Sequence, residues 1–181
     1  MFRLKSLTIQ DVFLVETDVF SDDRGFFAEF YHEKVFSDLG LRTRFVQDNM
    51  SSSKQGVLRG LHFQRGPAAQ TKLVRVIQGR ILDVVVDLRH DSETFGQWVG
   101  VELNDQTPQM LWVPGSFAHG FLVLSETALV QYKCSTHYDP QAEDSLRWDD
   151  PVIGIQWPSQ DIILSDKDRH APLFNPRHTY F

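Results

Sequence analysis

Short apolar segments, each interrupted by Gly, Pro, Asn or Asp, recur along the whole chain and limit what it can fold into. Two of the strongest are Lys72–Gln78, in which apolar and polar residues partly alternate, and residues 81–88, which are rich in valine. Alternation with a period of two is typical of β-strands that bury one face. Hydrophobic residues make up 41% of the 181-residue chain, which is enough for a real core. We therefore predict an all-β sandwich or barrel, whose mouth can hold one ligand.

Sequence typical of helices is scarce. Residues 32–39 predict one helix, because Gly40 follows in the usual C-terminal capping position. A second short helix is predicted near Asp166–Arg169, where Ser165 can cap its N-terminus. The turn at residues 78–80, centred on glycine, joins two strong strand segments and predicts a tight hairpin.

Composition narrows the classes of function. The net charge of −6 argues against a general affinity for nucleic acid. Cys134 is the one cysteine, so it cannot form an internal disulfide, and a lone cysteine fits a reducing compartment. The N-terminus lacks the apolar core of a signal peptide, and no apolar run approaches the roughly 18 residues of a membrane span. We expect a cytoplasmic protein.

Two stretches place polar residues inside strand-like sequence. Residues 57–64 contain Arg59 and His62, which strand alternation puts on opposite faces unless Gly60 kinks the strand with a bulge. In residues 112–121 a turn delivers His119 to the start of a strand. Spacing alone leaves two interpretations open, namely a polar site inside the barrel, or a surface arginine with hydrogen-bonded structural histidines.

Motifs for other kinds of chemistry are missing. Metal-binding cupins usually show His-x-His followed by a glutamate, whereas His62 is followed by Phe63 and Gln64, so we expect no metal site. Nothing around Cys134 indicates an activated thiol, and no Gly-x-Ser-x-Gly elbow is present. Glycine-rich loops that bind nicotinamide cofactors or ATP are also absent from the sequence.

Several longer motifs, in matching order and spacing, resemble the dTDP-4-dehydrorhamnose 3,5-epimerase family over roughly residues 8–174. Met50 stands where the family often has histidine, and residues 175–181 match nothing recognisable. The runs that carry the resemblance are residues 23–27 (DRGFF), 46–49 (VQDN), 57–64 (VLRGLHFQ), 72–75 (KLVR), 95–101 (FGQWVGV), 114–121 (PGSFAHGF) and 165–168 (SDKD).

The resemblance implies a double-stranded β-helix, that is, a cupin-like jelly roll with a few short helices. It implies one domain over residues 1–181, with the jelly-roll core at about 20–150 and an extension at each end. The implied enzyme is a homodimer without a cofactor. Its implied reaction converts dTDP-4-dehydro-6-deoxy-D-glucose to dTDP-4-dehydro-L-rhamnose by inversion at C3 and C5.

The resemblance also implies roles for individual residues. The catalytic base falls on His62, with Asp168 as its carboxylate partner, and the catalytic acid falls on Tyr132. Lys72 takes the position near the C4 oxygen of the substrate, and Tyr138 that of the ring stacked on thymine. Further substrate contacts fall on Arg24, Glu29, Gln47, Asn49, Arg59, His119, Glu143 and Lys167.

Three alternatives remain at the level of sequence. A relative that inverts only C3 or only C5 can use the same base and acid, so the motifs do not separate it from a double epimerase. A cupin-like module can bind a sugar nucleotide without turning it over. A metal-dependent cupin oxygenase is the third alternative, and the missing His-x-His argues against it.

Overall fold

The computed structural model describes residues 1–159 and 161–181. Strands dominate this part of the chain, together with two short α-helices, α1 (Glu33–Asp38) and α2 (Asp166–Arg169), and a 3-10 turn at Gly66–Ala68. The strands are β1 (Arg3–Ser6), β2 (Phe13–Glu16), β3 (Val19–Asp22), β4 (Gly25–Ala28), β5 (Gln47–Lys54), β6 (Leu58–Gln64), β7 (Lys72–Gln78), β8 (Arg80–Asp87), β9 (Trp98–Asn104), β10 (Gln109–Val113), β11 (Phe117–Val123), β12 (Thr127–Cys134) and β13 (Glu143–Ser145).

Two antiparallel sheets form the body of the fold. One sheet has six strands in the order β1-β2-β10-β7-β12-β5, and the other has five in the order β13-β6-β11-β8-β9. A buried cluster takes Val74 and Val130 from the first sheet and Val85 and Phe121 from the second, so the apolar faces of the sheets pack on each other. The prediction of a cupin-like, all-β fold with few helices is confirmed.

The larger sheet begins close to the N-terminus. Strand β2 pairs with β10, for example Val15 with Met110, and β1 pairs with β2 at the sheet edge. Val12 and Leu14 join the central buried cluster. Both strands lie before residue 20, where the sequence predicted the jelly-roll core to start. Strand β2 pairs with β10, which lies far along the chain, and such pairing cannot be predicted from the local alternation of apolar residues.

Both predicted helices are present. Helix α1 lies within the predicted residues 32–39, and Gly40 follows it with a φ of +89°, a conformation that favours glycine. Helix α2 begins after Ser165, whose hydroxyl accepts a hydrogen bond from the Asp168 N–H at 3.1 Å. Among the described residues, no helix is long and apolar enough to cross a membrane.

The predicted hairpin at Gly79 is wrong. Strand β7 belongs to the six-stranded sheet and β8 to the five-stranded sheet, so this turn carries the chain from one sheet to the other. A glycine is needed here, since its φ is +85° and a Cβ would lie 2.1 Å from the Thr127 carbonyl oxygen. The turn residues were read correctly, but the partners of the two strands are set by packing between the sheets.

Candidate active site

A cavity of about 610 Å³ opens between the two sheets. Its walls come from β5, β7 and β12 on one side and from β6, β11 and β13 on the other, with the segment that leads into α2 at its rim. Of the residues predicted from sequence, the cavity brings together Gln47, Asn49, Arg59, His62, Lys72, His119, Tyr132, Tyr138, Glu143, Lys167 and Asp168.

A β-bulge at Gly60 points Arg59 and His62 into the same cavity. His62 pairs with His119 and Arg59 pairs with Phe121, so three steps along β6 match two along β11. The extra residue cancels the alternation that would separate the two side chains. Glycine is required because φ at Gly60 is +137° and a Cβ would lie 2.5 Å from the Cα of a glycine on β11. The structure thus decides for the bulge, which the sequence had left open as one of two possibilities.

His62 is held by a buried carboxylate. Its Nε2 lies 2.5 Å from Oδ1 of Asp168, whose side chain is only 5% exposed. Burial alone would raise the pKa of Asp168, but the hydrogen bonds from His62 and Ser165 keep it below the usual value of 3.8. Asp168 is therefore ionised near neutral pH, which fixes the proton on Nε2 and leaves Nδ1 of His62 as the nitrogen that can accept one.

The opposite wall carries Tyr132 and Lys72. Burial raises the pKa of Tyr132 above its usual value of 10.0, with a further rise from Cys134 and an opposing effect from Arg59. The phenol is therefore protonated at neutral pH. Lys72 is 7% exposed, its Nζ lies 3.5 Å from the His62 carbonyl oxygen, and burial lowers its pKa.

Three side chains form a linked group at the rim. The Tyr138 hydroxyl donates to Oε2 of Glu143 at 2.8 Å, and Lys167 Nζ lies 2.5 Å from Oε1 of the same carboxylate. Burial would raise the pKa of Glu143, yet these two contacts lower it. The ring of Tyr138 stays half-exposed, and its backbone N–H donates to Gln47. A flat ring and a cation thus lie side by side at the entrance.

His119 forms a second histidine–carboxylate pair, with Asp83. Sequence reasoning missed Asp83, although a charged residue inside the apolar run of residues 81–86 was a usable signal. Ser51, Gln64 and Gln70 also line the cavity and were not predicted. Within residues 1–159 and 161–181, no group of three or more His, Cys, Asp or Glu side chains gathers where it could hold a metal ion.

Arg24 and Glu29, predicted as substrate contacts, are not brought to this cavity in the described chain. Arg24 lies at the tip of the β3–β4 ribbon, where its 89% exposed side chain pairs with Asp22 at 2.5 Å. Glu29 follows β4, and its backbone carbonyl accepts a hydrogen bond from Thr17. The ribbon is a separate two-stranded sheet, which accounts for the distance from the site.

The model of the dTDP-4-dehydrorhamnose 3,5-epimerase family matches residues 6–176. The chain belongs to this family. An epimerase of this family from Salmonella typhimurium is 53% identical over 169 residues, covering 92% of each chain. The crystal structure of the Bacillus anthracis epimerase, with TDP and PPi bound, has a TM-score of 0.94 and 46% identity, covering 96% of this chain and 100% of that one.

A third relative has a sugar nucleotide in its structure. The Legionella pneumophila epimerase, in complex with dTDP-4-keto-L-rhamnose, has a TM-score of 0.92 and 44% identity, covering 96% of this chain and 93% of that one. Family membership makes the chain an isomerase with a cupin-like β fold.

Proposed function

We propose that this epimerase converts dTDP-4-dehydro-6-deoxy-D-glucose to dTDP-4-dehydro-L-rhamnose by inverting C3 and C5 beside the C4 ketone. One observation carries the proposal. His62 projects from the five-stranded sheet and Tyr132 from the six-stranded sheet, and both line one cavity. A sugar ring lying between the sheets has a proton acceptor on one face and a proton donor on the other.

Inversion needs two groups because a single residue returns the proton to the face from which it came. His62, oriented by Asp168, accepts the proton as a general base. Tyr132 then donates its phenolic proton to the other face of the carbanion, and its raised pKa keeps that proton available. C3 and C5 flank the same ketone, so one base and one acid can serve both carbons in turn. Between the two inversions His62 must release its proton to water and Tyr132 must regain one from water.

Lys72 can lower the free-energy cost of removing the proton next to the C4 ketone. A proton next to a ketone is many pKa units less acidic than an imidazolium, and each unit corresponds to about 1.36 kcal/mol. The base therefore needs help from a cation placed where negative charge develops on the C4 oxygen. Lys72 is a buried ammonium on the cavity wall beside the His62 backbone, which suits this task.

The rim suits the nucleotide. The exposed ring of Tyr138 can stack on thymine, while Arg59 and Lys167 can bind the diphosphate against the overall charge of −6. The remaining proposed substrate contacts within the cavity are Gln47, Asn49, His119 and Glu143.

We propose that the protein acts as a homodimer, and the β3–β4 ribbon supports this. Phe20, Phe26 and Phe27 are 62–71% exposed on it, with Phe20 and Phe27 paired across the two strands, and exposed apolar side chains grouped in this way favour association. In a dimer whose ribbons reach across the interface, Arg24 and Glu29 meet the partner's cavity rather than their own. Cys134 is a buried free thiol, which fits the cytoplasm that we propose as the compartment.

Incubation of the purified protein with substrate in D2O tests the reaction. We expect deuterium at both C3 and C5, with inverted configuration at each, by NMR of the recovered sugar. Deuterium at one carbon alone supports a single-carbon epimerase. Calorimetric binding without any exchange supports a non-catalytic binding module. Activity that is lost with a chelator and tracks bound metal supports the metal-dependent alternative.

A further inference from the structure

Asp83 is a fully buried carboxylate that the proposed mechanism leaves unused. It lies on β8 between Leu82 and Val84 and is 0% exposed. Its Oδ1 bonds to Nε2 of His119, while Oδ2 has no hydrogen-bond partner within the described residues. A buried, half-satisfied carboxylate is costly for a fold, so its presence in an apolar strand calls for a compensating role.

The hydrogen-bond partner of Asp83 belongs to the reaction centre. His119, which holds its Oδ1, is the direct cross-strand partner of His62. Lys72 reaches the carbonyl of His62 from the opposite sheet. Lys72 also lies buried in this cavity, and the carboxylates that act on it are Asp83 on β8 and Glu143 on β13.

We propose that Asp83 is a positioning residue, whose hydrogen bond fixes the ring of His119, the cross-strand partner of His62. This inference rests on the proposed function. An ionised carboxylate only accepts hydrogen bonds, so Nε2 of His119 carries the proton and Nδ1 is left as an acceptor. That tautomer suits a sugar hydroxyl, while the Lys72 ammonium is left for the ketone oxygen.

The charges near Lys72 predict how its pKa changes when Asp83 is removed. Burial lowers its pKa, and the negative charges of Asp83 and Glu143 oppose that effect. Burial raises the pKa of Cys134, so this neighbour is a neutral thiol. Without Asp83 the charged form loses part of its support, so the amine loses its proton at lower pH. The alkaline limb of the rate profile must then move toward neutral pH.

The test compares Asp83→Asn with Asp87→Asn in the full-length protein. Both carboxylates are 0% exposed and both lie on β8, but Asp87 bonds to Arg89, Ser92 and Thr94 away from the cavity. We expect Asp83→Asn to lower kcat by about 10²- to 10³-fold, because the His119 ring beside His62 is no longer held in its productive orientation. Its KM should change little, and its alkaline limb should move to lower pH.

Asp87→Asn should lower the melting temperature and leave the position of the alkaline limb unchanged. A wild-type kcat and pH profile in folded Asp83→Asn would overturn the inference, as would equal losses in both variants without a shifted limb. Wild-type turnover, measured in parallel, tests the proposed function, whereas the ratio of variant to wild type tests Asp83.

If Asp83→Asn does not fold, the inference is tested by NMR of the wild-type protein labelled with 15N-histidine. We expect a downfield Nε2 proton that His119→Gln removes, and its shift should respond to a dTDP-sugar but not to dTDP alone. If this resonance is missing, or if its chemical shift does not change when the dTDP-sugar binds, Asp83 does not position His119 toward the sugar ring, and the inference is overturned.

Discussion

The two walls of the cavity differ in the chemistry they offer. The base wall is formed by His62 and His119 on β6 and β11, and each imidazole is tied to a carboxylate. The acid wall is formed by Tyr132 and Lys72 on β12 and β7, and burial raises the pKa of the Tyr132 phenol, which therefore keeps its proton at neutral pH. In the proposed mechanism, a sugar ring between the walls meets a proton acceptor on one face and a proton donor on the other, as inversion requires.

The largest expected effect comes from removing the base. His62→Ala should abolish exchange at both C3 and C5, with a loss of about 10²- to 10⁴-fold or more, because one general base serves both carbons. Loss of the C3 and C5 protons in D2O, followed by NMR, measures it, and dTDP binding by calorimetry serves as control. Wild-type exchange in this variant would refute the assignment of the base wall.

The variant Tyr132→Phe distinguishes proton abstraction by the base wall from reprotonation by the acid wall. The base wall remains intact, so much of the proton abstraction should survive, while inversion falls by roughly 10²-fold because the donor is lost. Comparing the rate of deuterium incorporation with the rate of product formation measures the split. Tyr180→Phe, a change on an aromatic cluster away from the cavity, is the control. Parallel loss of exchange and inversion would contradict separate roles for the walls.

The fall of the exchange rate at high pH, that is, the alkaline limb of the pH–rate profile, should reflect the titration of Lys72 and not that of Tyr132. Burial lowers the pKa of Lys72 and raises that of Tyr132, so we expect the ammonium to be the group that titrates in this limb. The alkaline limb of exchange should therefore be kept in Tyr132→Phe and lost in Lys72→Met, together with about 10²-fold or more of the rate. A limb that disappears in Tyr132→Phe instead would reverse this order.

Hybrid dimers formed from two inactive variants test whether Arg24 of one subunit completes the cavity of the other. Arg24→Ala and His62→Ala should each be nearly inactive as homodimers. After refolding together in equal amounts, half of the dimers carry one intact site, so about a quarter of wild-type activity should return. Activity no higher than that of the separate variants would argue that Arg24 does not cross between subunits.

The smallest effect concerns the stability of the base wall in acid. The pKa of Asp168 is lowered in the folded protein, so its ionised form stabilises the fold at neutral pH, and that contribution fades as pH falls through the lowered value. The melting temperature of wild type should exceed that of Asp168→Asn by a few degrees at pH 7, and the gap should close below about pH 4. A gap that persists in acid would point to packing.

Local sequence predicted the elements well because their signals are local. Alternating residues in Lys72–Gln78, the serine that caps α2 and the bulge glycine in β6 each act within a few neighbours. The candidate site followed from motif resemblance, since spacing alone left His62 open to a structural interpretation. The cavity then gathered most of those residues, and the bond to His119 revealed Asp83, which no motif had marked.

By itself, the sequence determined that the chain forms short strands with few helices, and where glycine and serine interrupt or cap them. Only the tertiary structure decided that β7 and β8 part into different sheets at Gly79, and that His62 and Tyr132 face each other across one cavity. The physical reason is that alternation reports which face of a strand is buried, while the partner of that face is chosen by packing between distant segments.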